Sequence, residues 1–72
     1  MKRFDTKALY VALEEHRLKR SMSWNEISKE IGVSVSTMKR TKLGGRMEVD
    51  GMLAMVGWLG VKVEVFVQET DY

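Results

Sequence analysis

The run Ser23–Leu43, SWNEISKEIGVSVSTMKRTKL, constrains the fold of this chain more than any other stretch. Ser23-Trp24-Asn25-Glu26 fits a capping box, with a hydroxyl at the N-cap and a carboxylate three residues on. Met22 and Ile27 then stand at the N′ and N4 positions of a hydrophobic staple. Ile27 and Ile31 share one helical face, and Ser28 beside Ile27 is small enough for another helix to approach closely. Gly32 follows the last turn, where a left-handed residue commonly closes a helix. Ser34 is placed to cap a further helix, predicted from Val35 to about Lys42, and Gly44-Gly45 stops it. The expectation is two short helices joined by a tight turn at Gly32-Val33-Ser34.

The rest of the chain supplies the packing for such a pair. Asp5 or Thr6 can cap a first helix, on which Leu9, Ala12, Leu13 and His16 recur at the spacing of one face. Lys19 and Arg20 fall where cations favour the C-terminal end of the helix dipole. A fourth helix is predicted over Val49–Leu59, with Glu48 near its start and Met52, Met55, Val56 and Leu59 on one face. Gly51 and Gly57 each weaken it by up to about 1 kcal/mol relative to alanine, so packing must hold it. Gly60 is a natural closing residue. After it, Val61, Val63, Val65 and Val67 alternate with Lys62, Glu64 and Phe66, which favours a strand. A lone strand leaves its backbone unpaired, and a second copy of the chain is the obvious partner. The expected fold is mainly α: a compact four-to-five-helix domain over residues 1–60, followed by a tail over residues 61–72. Residues 61–68 of that tail form either a strand or a short fifth helix.

Seventy-two residues hold one domain with a small core, which buries only roughly 60% of the unfolded surface. With no cysteine, disulfides and thiolate metal sites are excluded. No apolar run approaches the roughly 20 residues that span a bilayer, and no signal peptide is visible, so a cytoplasmic protein is expected. The net charge of +2 conceals an asymmetry. Residues 1–46 carry eleven Lys/Arg against five Asp/Glu, whereas residues 47–72 carry Lys62 against five acids. A basic part beside an acidic one points to a side that faces a polyanion and a side turned away from it.

The chemistry concentrates on the third helix. On a helical wheel Val35, Ser36, Lys39 and Arg40 form one stripe, expected to be exposed, while Met38 points to the core with Thr41 beside it. Arginine and lysine donate to guanine O6 and N7, valine meets a thymine methyl, and serine bonds either kind of base edge. These four are the candidate DNA base contacts. Asn25, Ser34, Thr37, Lys42 and Arg46 are the candidate phosphate contacts, Ser34 through the helix N-terminus and the cations through charge. From Lys39 to Arg46 there are four cations and no acid. One helix held so that another can enter the major groove is the logic of a helix-turn-helix, here residues 23–43.

These residues resemble the lambda-repressor/Cro helix-turn-helix family. The shared features are Ser28 where the family often has alanine, Ile27 and Ile31 inside, Gly32 at the turn, Val33 after it, Ser34 opening the recognition helix and Met38 within it. The similarity extends from about Leu9 to Leu59, and Met52–Gly60, ending Trp58-Leu59-Gly60, is similar to the family's fourth helix. The resemblance implies a small phage- or prophage-type repressor of the Cro class, bound as a dimer to double-stranded DNA at a near-palindromic operator. Dimerisation is expected through Leu53, Trp58, Val61, Val63, Val65, Phe66 and Val67. A chain of this size leaves no room for a ligand-sensing domain, so no small-molecule ligand or cofactor is expected. Two departures stand out: Thr41 occupies an inner position usually filled by isoleucine or leucine, and the tail is β-branched where similar regulators often have a fifth helix.

The same residues leave other functions open. An antitoxin would also bind a toxin, an excisionase-like protein would bend DNA, and a protein-interaction module would use the fold without DNA. His16, the only histidine, reads as packing rather than catalysis, because no triad motif surrounds it. Gly44-Gly45-Arg46 lacks the spacing of a phosphate loop. Trp24 is expected to pack on the first or fourth helix, and Glu14 and Glu15 to be solvated. No constellation of nucleophile, base and orienting group appears, so the chain does not read as an enzyme.

Overall fold

The computed structural model describes residues 2–69. A short strand β1 (Lys2–Phe4) leads into helices α1 (Thr6–Lys19), α2 (Trp24–Ile31), α3 (Val35–Arg40) and α4 (Val49–Leu59), and strand β2 (Val67–Glu69) ends the described chain. Single 3₁₀ turns follow α3 at Thr41–Leu43 and precede β2 at Val63–Phe66. The described residues are mainly helical, with four α-helices and one short strand pair.

Side-chain caps set most of the helix starts. The Ala8 N–H donates to the Asp5 carboxylate at 3.0 Å, so Asp5 is the cap of α1 and Thr6 lies inside the helix, buried. At α2 both halves of the capping box form. The Glu26 N–H donates to Ser23 Oγ at 3.1 Å, and the Ser23 N–H donates to the Glu26 carboxylate at 2.9 Å. α3 starts at Ser34, whose hydroxyl accepts the Thr37 N–H at 3.2 Å. α3 ends at Arg40, earlier than the expected Lys42, because the chain tightens into the 3₁₀ turn at Thr41. Each of the four helices contributes to one core: Leu9 and Leu13 from α1, Ile27 from α2, Met38 from α3, and Met55 and Val56 from α4.

Thr41 belongs to this interior and is 4% exposed. Its hydroxyl donates to the Met38 carbonyl at 2.7 Å, so its polar atom is satisfied without water.

The tail takes part of each expectation. Val63–Phe66 is a 3₁₀ turn rather than strand, and only Val67–Glu69 is extended. Phe66 explains the difference. It enters the core, where it is 5% exposed and meets the Phe4 ring at 5.7 Å between centroids. Strict alternation would have put Phe66 on the face opposite the valines, and the turn rotates it inward instead. The strand's partner is not a second copy but β1 of the same chain. The two run antiparallel, with Lys2 opposite Glu69, Arg3 opposite Gln68 and Phe4 opposite Val67. Asp5 locks the pair: its N–H donates to the Phe66 carbonyl at 2.6 Å, and its carboxylate accepts the Gln68 side-chain amide at 2.7 Å. The core therefore crosses the boundary expected at Gly60.

Of the residues expected at a dimer contact, Phe66 is interior, and Val63 and Trp58 are half-buried against the core. The Trp58 ring meets His16 edge-on at 4.7 Å and lies under the Arg20 guanidinium at 5.5 Å. Leu53, Val61, Val65 and Val67 remain exposed.

Candidate nucleic-acid interface

The geometry of the α2–α3 pair begins at Gly32. Its φ of +73° is a left-handed conformation that side-chain-bearing residues adopt only with strain. Its N–H closes α2 on the Ser28 carbonyl at 2.9 Å, and Val33 and Ser34 then redirect the chain into α3. Ile27 and Met38, one from each helix, are both fully buried, which fixes the two helices against one core.

With Met38 inward, Ser36, Lys39 and Arg40 stand exposed on α3. Val35 does not join them fully. It is half-buried and packs against the core, because a residue three before Met38 lies on the flank of the buried face. Asn25 is exposed on the first turn of α2.

The two ends of α3 differ in charge. At its start, the Ser34 hydroxyl accepts the Thr37 N–H and also donates to Thr37 Oγ1 at 2.8 Å. Ser34 and Thr37 border a cleft of about 350 Å³ that Glu48 and Asp50 also line. An anion at this end meets two carboxylates. At the other end, Arg40 and Arg46 line a second cleft, of about 260 Å³, with Thr6, Thr37, Thr41 and Glu48. Arg46 is exposed there, and Lys39 and Lys42 are exposed on the last turn of α3 and the 3₁₀ turn after it. The cationic pole of the site is thus the C-terminal end of α3 and the loop after it.

That loop is tied to the start of α1. The buried Thr6 hydroxyl donates to the Gly45 carbonyl at 3.3 Å. Gly44, at φ +79°, sits directly on the Lys7 side chain, where an added Cβ would stand 3.0 Å from Lys7 Cε. Thr6 and Lys7 were not among the expected site residues, yet they contact the loop at Gly44 and Gly45, next to Arg46. No local sequence signal marks them, because the contact spans 39 residues.

Arg17 is a second positioning residue that the sequence reading missed. Its guanidinium donates to the Met22 carbonyl at 3.1 Å, pairs with Glu14 and lies 5.2 Å from the Trp24 ring. Trp24 in turn stacks on Tyr10 of α1 at 5.9 Å. Glu14, expected to be solvated, is half-buried and also accepts from the Tyr10 hydroxyl at 3.3 Å. The signal was present: Tyr10, Glu14 and Arg17 fall at i, i+4 and i+7 on one helical face. This cluster pins the start of α2 to α1. The capping box adds to it, and the Ser23 backbone N–H, then its hydroxyl, hold the Glu26 carboxyl below its ordinary value.

Among the described residues no helix is long and apolar enough to cross a membrane, and no group of His, Asp or Glu is arranged to hold a metal ion. No protein-family model, curated protein or solved structure matches the chain.

Proposed function

We propose that the chain is a sequence-specific DNA-binding regulator in which α2, the turn at Gly32 and α3 form a helix-turn-helix. The observation that carries the proposal is the division of α3. Met38 is wholly buried on one side, and Ser36, Lys39 and Arg40 are exposed on the other, on a helix capped at Ser34 and held by α2. A helix so held presents a fixed set of donors to the major groove, where arginine and lysine discriminate guanine. Val35, on the flank of that surface, reaches a thymine methyl at the groove wall. Lys42 and Arg46 neutralise backbone phosphates, and Asn25 approaches them from α2. Ser34 serves first as the cap and Thr37 as its hydrogen-bond partner, and the carboxylates beside them make them the weaker phosphate contacts.

One short recognition helix covers few base pairs, so two copies are proposed to bind together, as in a phage-type repressor on a near-palindromic operator. The exposed residues Leu53, Val61, Val65 and Val67 are the candidates for the contact between copies. Repression follows from occupancy, because a bound dimer excludes polymerase from the same site. A hydroxyl-radical footprint on a bound duplex is the test. Protection is expected in two patches on one face of the DNA, about 34 Å apart. A single patch would remove the dimer from the proposal, and uniform weak protection would remove sequence-specific binding altogether.

A further inference from the structure

The strand pair carries an inference beyond the helix-turn-helix. The cleft beside α3 adjoins another, of about 450 Å³, lined by Lys2, Arg3, Phe4, Arg46 and Met52 among others. Thr6, Arg46 and Met47 border both clefts, so Arg46 divides them, with Arg40 on one side and Arg3 on the other. Among the described residues no acid lines this larger cleft. The cations at the end of α3 therefore continue, through the loop, onto β1.

We propose that β1 is a second contact element for the DNA backbone, with Arg3 as its main phosphate ligand and Lys2 as an auxiliary one. The proposal rests on the reading of α3 as the DNA-facing helix. The chemistry favours a polymeric phosphodiester over a single small anion. Lys2, Arg3 and Arg46 are all exposed and line an open cleft rather than a buried pocket. Exposed cations bind a polyanion by releasing its condensed counterions, one for each phosphate neutralised. Arg3 leads because neutral Gln68 stands opposite it, whereas Glu69 stands opposite Lys2. β1 is also fixed rather than trailing: β2 pairs with it, and Asp5 ties it to Phe66 and Gln68. The C-terminal strand thus supports DNA binding without touching DNA.

Salt titration of binding to a fluorescent duplex tests this, read as the slope of log affinity against log salt. Arg3→Ala is expected to flatten the slope by about 0.9 and to weaken specific and scrambled duplexes by the same factor. Arg3→Lys, which keeps the charge, restores the wild-type slope. If Arg3→Ala leaves the slope at the wild-type value while Arg40→Ala still weakens binding, β1 is no contact element and the reading of α3 stands. If the wild-type protein binds without salt dependence, the proposal and the reading of α3 fall together.

Discussion

At Arg40 the guanidinium belongs to the exposed side of α3 and borders the cleft it shares with Arg46. If it reads a base, Arg40→Ala should relax preference at one operator position by about 1–3 kcal/mol and leave the others alone, as measured on a set of singly substituted duplexes. Equal loss on every duplex would make it a phosphate contact. Thr41 makes a different kind of claim. Its hydroxyl donates to the Met38 carbonyl, which the Thr41 N–H also reaches. Thr41→Val therefore leaves no buried acceptor without a donor and should stay within about 1 kcal/mol of wild type in urea unfolding. A larger loss would show that the hydroxyl itself holds the 3₁₀ turn. Glu26 brings in pH. Its carboxyl is lowered by the Ser23 N–H, so its contribution to stability is complete above the unfolded value of about 4.3 and is lost as pH falls through the lower folded value. Because the group is exposed, the effect is small. Glu26→Gln should flatten the acid limb of the melting-temperature profile there, and an unchanged limb would rule the capping box out as its source.

The elements show where the sequence was readable. α2 and α4 were legible because their signals are local. A capping box, a staple and glycine closures at Gly32 and Gly60 lie within a few residues of the turns they control. β1 was not legible, since three residues are too few to show alternation and their partner lies at the other end of the chain. The tail misled because the valine alternation is real but Phe66 outweighs it by entering the core. For the same reason Thr6 escaped notice, as its role exists only once the distant loop at Gly45 meets it, whereas Arg17 was overlooked although its spacing from Tyr10 and Glu14 is local. These distinctions have measurable consequences. Gly32→Ala places a Cβ in open space, so its cost is backbone strain alone, about 1–2 kcal/mol in urea unfolding. Phe66→Ala should cost about 3 kcal/mol or more, as for a core aromatic. A loss below about 1 kcal/mol would return the tail to the periphery.

Across the whole molecule, the strand pair joins the two ends of the described chain, and Lys2 and Arg3 of β1 line one cleft with Arg46. The sequence showed the division of charge but not that Lys2 and Arg3 would meet Arg46. The structure also changes how self-association must be tested. Truncation after Gly60 would remove Phe66 from the core, so it would unfold the domain before it reported on dimers. Val65, at 65% exposed, borders a groove with Ala12, His16, Leu59 and Val61 and is free of that problem. Val65→Glu should weaken self-association at least tenfold in sedimentation equilibrium with little change in melting temperature, whereas an unchanged oligomeric state would exclude this face. The most direct measurement of the DNA-binding claim itself is selection of the wild-type protein on a pool of random duplexes. The expected result is enrichment of a near-palindromic sequence, bound at least about 10³-fold tighter than a scrambled duplex at physiological salt. A pool that remains random after repeated selection would contradict it.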